Sequence, residues 1–153
     1  MLCATFDSPF QSKLIDGLYA EAMVLAETAR DYFDGIGREE REQLDPVSRV
    51  AFSCESLKVT TRLMHVIAWV MTQRAVEAGE MDWSDARDPM RRLGCSPDSD
   101  PAMVAALPDR AQFLAQASLD LHRRVERLDQ ISDAGRLSAS PVQMLQARLG
   151  SAF

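Results

Sequence analysis

The chain has 153 residues, 46% of them hydrophobic and 26% charged, with a net charge of −6. Those proportions belong to a soluble globular protein with enough chain for one well-filled core, so residues 1–153 read as a single domain. The acidic balance argues against nucleic acid or an anionic membrane surface as the main partner.

The first predicted helix covers residues 9–34. Ser8 can cap it, Pro9 suits its first position, and Gln11 sits where a capping box wants it. Phe10, Leu14, Leu18, Ala22, Leu25, Ala29 and Tyr32 recur at steps of three and four on one side. Lys13, Asp16, Glu27, Arg30, Asp31 and Asp34 fall mostly on the other. Gly35 and Gly37 are expected to end the helix in the left-handed conformation. Residues 38–43 are polar and charged, a short solvated connection that makes the first two long helices antiparallel neighbours.

Asp45-Pro46 opens a second helix by the same cap-and-proline logic, and Gly79 closes it, giving residues 46–78. The chain is organised around this helix, because its centre, residues 63–71, is too apolar for an ordinary surface helix. At about 100° per residue its apolar side chains fall into two stripes. The first is Val50, Cys54, Leu57, Thr61, Met64, Ala68, Met71 and Ala75; the second is Phe52, Val59, Leu63, Val66 and Val70. Glu55, Lys58, Arg62 and Gln73 make a narrow polar strip, with His65 and Trp69 nearby.

Beyond Gly79 the pattern weakens. A short helix is expected at residues 84–93, disturbed at Pro89 and stopped by Gly94, followed by a Ser/Pro/Asp-rich loop. The third long helix covers residues 108–132, where Leu107, Leu114, Leu121 and Leu128 repeat every seven positions with Ala111, Ser118 and Val125 between them. After a Ser-Ala-Ser-Pro linker, a small amphipathic helix at residues 142–149 carries Val142, Leu145 and Leu149.

These elements predict an all-α fold: an antiparallel three-helix bundle with a long central helix, plus short connecting and C-terminal helices. The first and third helices offer one apolar stripe each, enough to cover the first stripe of the central helix. The second would remain partly exposed, and large exposed apolar patches mark interaction sites. The expectation is therefore a homodimer with Phe52, Val59, Leu63, Val66 and Val70 at its interface. The competing reading folds the C-terminal helix or residues 80–107 over that stripe.

No catalytic, metal or cofactor constellation is visible, so the sequence reads as non-enzymatic with no cofactor. Cys54, His65, Cys95 and His122 lack the close spacing of zinc ligands. Three cysteines at wide intervals suit reduced cytosolic thiols, and Cys54 reads as a small core residue. Residues 1–7 lack a signal peptide's basic start and apolar run, and the central apolar run falls far short of the ~18 residues a membrane span needs. A cytoplasmic protein is the expectation. The basic cluster His122, Arg123, Arg124 and Arg127 is interleaved with Asp120, Glu126 and Asp129, as on a solvated helix face.

Residues 55–64, Ala68-Trp69 and residues 73–81 resemble the signature region of the RcdA family, the regulators of CtrA degradation of α-proteobacteria. Tyr19 to Gly37, the pattern Arg123, Val125, Arg127, Leu128 and Asp129, and the closing Pro141 to Phe153 are similar too, with residues 89–109 matching least. The resemblance implies a small dimeric helical protein without enzymatic activity. It implies an adaptor of the ClpXP protease that joins the response-regulator-like protein CpdR, helps deliver cell-cycle regulators as protein cargo, and gathers at the cell pole. Under it, the candidate partner surface is Glu55, Lys58, Arg62 and Gln73, with Arg123 and Arg127 on the third helix. The alternative is a structural or scaffold homodimer with no protease link.

Overall fold

The computed structural model describes residues 9–137. The helix expected at residues 142–149, with Val142, Leu145 and Leu149, lies outside them, as does Cys3. The elements are α1 (Pro9–Asp34), α2 (Ile36–Glu42), α3 (Pro46–Glu77), α4 (Trp83–Ala86), α5 (Pro101–Ala105) and α6 (Asp109–Leu137). The architecture is an all-α bundle around one long central helix, with no strand among the described residues.

Local chemistry sets most helix ends. Asp45 caps α3 by accepting a hydrogen bond from the Ser48 backbone N–H at 3.2 Å, and Pro46 occupies the first turn, where its missing N–H costs nothing. The Ser48 contacts hold the Asp45 carboxyl below the usual carboxylate range. At the other end, Gly79 takes φ 73°, and the Glu80 and Met81 N–H groups turn back to the Ala75 carbonyl. The α1 end differs from expectation. Gly35 is not left-handed (φ −109°), and α2 begins immediately after it. Close approach explains these glycines instead: a Cβ on Gly37 would stand 2.6 Å from the Tyr32 carbonyl oxygen.

Named contacts give the helix directions. Asp16 pairs with Arg74 at 2.7 Å and Tyr32 packs on Phe52, so α1 and α3 are antiparallel. Glu21 pairs with Arg124, while Thr28 and Asp31 lie beside Arg110 and Phe113, so α1 and α6 are antiparallel as well. Arg62 reaches Ser118 and Trp69 donates to Asp129, so α3 and α6 run parallel. A simple up-down-up connection would have opposed them.

Residues 87–105 make the parallel arrangement possible. This strap leaves the far end of α3, where Arg92 pairs with Asp129 and Asp133. It passes His122, whose Nε2 lies 2.9 Å from the Gly94 carbonyl oxygen, and then Arg62. It arrives as Asp100 and Met103 beside Val47 and Val50, where α6 can start. Sequence periodicity is blind to it because residues 93–100 form no regular secondary structure.

The core is built from Ile15, Leu18, Ala22 and Tyr32 of α1, the inner face of α3, and Leu114, Ala115, Leu121 and Val125 of α6. Here the expected roles of the two α3 stripes are reversed. Phe52, Val59, Leu63, Val66 and Val70 are between 0% and 4% exposed inside a single chain, so they are not a dimer interface. Val50, Leu57, Met64 and Met71, expected to face the bundle, are each more than half exposed, and Cys54 is exposed rather than in the core. The two stripes are equally periodic, so periodicity does not choose between them. The choice falls to the partners: α1 and α6 flank the second stripe, and the strap covers the polar residues beside it.

Candidate functional site

The polar strip of α3 lies in the middle of the buried sector. Arg62 is 0% exposed. Its Nε donates to Ser96 Oγ at 2.9 Å, one terminal nitrogen to the Pro97 carbonyl and Ser99 Oγ at 2.8 and 2.7 Å, and the other to the Ala115 carbonyl and Ser118 Oγ at 3.4 and 3.3 Å. Ser99 in turn donates to Glu55 Oε2 at 2.6 Å, and Lys58 pairs with Glu55 at 3.0 Å. Burial lowers the Arg62 pKa from its ordinary value, opposed by the charges of Glu55 and Asp98. An unpaired cation could not stay there; a guanidinium with its donors met by hydroxyls and carbonyls can.

This geometry corrects the expected partner surface. Arg62, Glu55 and Gln73 are buried, and Arg62 and Glu55 serve the fold, tying the strap to α3 and α6. Lys58 is half-buried against Glu55. Arg123 and Arg127 are the predicted partner residues that remain exposed, on the outer side of α6. The basic cluster around them is divided: His122 is buried, and Arg124 is paired with Glu21. Trp69, beside the strip, is buried with its indole N–H on Asp129 at 3.0 Å.

The surface that stands out is the outer face of α3. Val47, Val50, Leu57, Met64 and Met71 line it, and each is at least 51% exposed. Near the helix start the stripe deepens into a groove of about 510 Å³ between α3 and α5, with Ala51, Cys54 and Met103 on its walls and Lys58 and Asp100 at its edges. A second groove of similar volume lies between α1 and α6, where Ile36 and Phe113 are exposed beside Asp31 and Arg110. Contiguous exposed apolar surface commonly marks a site of interaction or ligand binding. Sequence reasoning found the α3 stripe but turned it inward.

Chemically the described residues offer little. Cys54 sits on the exposed stripe eleven residues from His65 on the same helix, roughly 16 Å along the axis and out of a base's reach. No group of three His, Cys, Asp or Glu among the described residues is disposed to hold a metal. No described helix is long and apolar enough to cross a membrane. The strongest perturbation is structural: burial, with Glu40 accepting its hydrogen bond, holds the Tyr32 phenol far above the usual tyrosine range.

No curated protein sequence matches the chain significantly. The family described as protein of unknown function (DUF1465) matches residues 6–153. Among solved structures, the crystal structure of RcdA from Caulobacter crescentus CB15 is similar at 33% identity and a TM-score of 0.64, over 76% of this chain and 88% of that one. The chain is an RcdA-like protein and belongs to the DUF1465 family.

Proposed function

We propose that this protein is a non-enzymatic regulatory adaptor of the RcdA type, acting in the cytoplasm as a homodimer and helping deliver cell-cycle regulators to the ClpXP protease. The observation that carries the proposal is the exposed apolar face of α3 on a chain 33% identical to RcdA. An adaptor needs surfaces that hold other proteins and no chemistry of its own. The outer face of α3, the α1–α6 groove and the exposed Arg123 and Arg127 are such surfaces. In this reading ClpX and a CpdR-like response regulator are the protease-side partners, and the complex gathers at the cell pole.

The test is capture of ClpX and CpdR homologues on the immobilised chain, under conditions that preserve its own association. Retention of either, abolished by Arg123→Glu with Arg127→Glu or by Phe113→Asp, is the expected result. Retention of neither would leave a scaffold dimer with no protease link.

A further inference from the structure

We propose that residues 141–149 close back on the bundle as a short further helix, seated between α1 and α6 where their groove continues toward the start of α1. Two rows of side chains build that seat. Arg124 pairs with Glu21 across the antiparallel helices, so Leu14, two turns before Glu21, stands level with Ile131, two turns after Arg124. Phe10 extends the α1 row by one more turn, and Phe10 and Ile131 are 75% and 67% exposed. Between them and the ion pair lies Gly17, level with the half-buried Leu128. Gly17 is in mid-helix, where glycine weakens a helix relative to alanine, and a Cβ placed on it would meet no described atom beyond its own helix within 4 Å. No contact within the described fold asks for a glycine there; the close approach of another helix does.

The chain beyond α6 carries a segment of matching form. Ser140-Pro141-Val142-Gln143 repeats the cap, proline and glutamine spacing of Ser8-Pro9-Phe10-Gln11, where α1 begins at Pro9. Gly150 follows as a stop, and a helix over residues 141–149 would be about 13 Å long. Val142, Leu145 and Leu149 step by three and four along one side, and Arg148 is the one charged side chain among residues 138–149. A nearly neutral segment with one apolar side suits an apolar seat.

Chain length selects the place. α6 ends at Leu137, beside the start of α1. The connection 138–141 spans at most about 14 Å, enough to reach a neighbouring helix axis about 8–10 Å away, as short helix–helix loops do. The outer face of α3 is too far. α6 packs on the opposite side of α3, through Trp69 and Asp129, so that face lies one interaxial distance and one helix diameter away, roughly 20 Å. Running back antiparallel to α6, the segment brings Val142 to Phe10, Leu145 to Leu14 and Ile131, and Leu149 over Gly17. Its tether holds it there at an effective concentration on the order of millimolar, an advantage no separate chain has. The groove at Ile36 and Phe113 stays open, so in the adaptor reading partner capture between α1 and α6 is confined to that end.

Cysteine crosslinking reads the seat in the full-length chain. With Cys54→Ser and Cys95→Ser, and Cys3 kept as a competitor, mild oxidation of Gly17→Cys with Leu149→Cys should close a disulfide within one chain. Its yield should exceed that of Gly17→Cys with Val142→Cys by at least about tenfold, since the second pair is out of disulfide range. In the wild-type chain, hydrogen exchange at the amides of residues 145–149 should be slowed at least about tenfold. Ile131→Asp, at an exposed position, should abolish that protection and leave α3 protected. Unprotected amides in the wild-type chain would overturn the inference. So would a disulfide to Cys3, which would seat residues 1–8 on this face, or one formed only between chains, which would seat the segment of a second copy there. Protection that survives Ile131→Asp, with no crosslink, would place the segment elsewhere and overturn it too. Neither measurement involves ClpX or a CpdR homologue, so failure of their capture would strike the adaptor reading alone.

Discussion

The two sides of α3 are nearly equally apolar, yet one is sealed in the bundle and the other faces outward. The sealed side carries the more polar centre line, with Glu55, Arg62 and Gln73 all buried. The outward side carries Leu57, Met64 and Met71 in the open. The difference is made by neighbours. Ser118 of α6 and Ser96 and Ser99 of the strap bring oxygens to Arg62, so the buried charge is met. Among the described residues, only α5 approaches the outer face, at its Val47–Val50 end. Hydropathy says that a face wants covering; it does not say which chain covers it.

The sharpest way to break this contrast is Arg62→Met. It would leave the groups Arg62 holds without their donor and loosen the strap, at a cost of about 3–5 kcal/mol. Urea denaturation measures the loss, and hydrogen exchange should rise first in residues 94–105. Arg62→Lys should recover little, because a point charge cannot replace a planar fork of five donors. A variant as stable as wild type would show the strap to be held by its apolar contacts alone.

Leu63→Ala, on the sealed side, should cost about 2–4 kcal/mol through the cavity it leaves at a site only 3% exposed. Thermal or urea unfolding reports it directly.

Tyr32→Phe keeps the ring packing against Phe33 and Phe52 and removes only the hydroxyl bonded to Glu40, for about 1 kcal/mol at neutral pH. The folded-state pKa of Tyr32 is raised, so its contribution is fully present below the unfolded value of about 10 and is lost as pH rises beyond it. The variant should therefore flatten the alkaline fall in stability. Coincident alkaline unfolding curves for the two proteins would count against this.

Leu57→Ser, on the outer side of the same helix, should change the stability of the isolated chain by less than about 0.5 kcal/mol. A large loss of monomer stability would mean that the outer face contributes to the fold after all.

Much of this was legible in the chain itself. Pro9 and Asp45-Pro46 mark helix starts, Gly79 marks a helix end, and the leucine repeat from Leu107 to Leu128 marks a bundle helix, because caps, prolines and periodicity act within a few residues. The RcdA likeness was legible too, carried by residues 55–81 of the central helix. The strap was not, since its hold comes from hydrogen bonds up to 44 residues apart, such as Ser99 with Glu55, and no local pattern encodes them. With the strap unseen, Arg62 read as surface and the two stripes of α3 exchanged places.

The sequence by itself determined that the long helix forms and that it is apolar on two sides, since both follow from local propensity and spacing. Only the tertiary structure decided which side is core. That depends on α6 running parallel to α3, with the strap delivering the hydroxyls and carbonyls that allow an arginine to be buried.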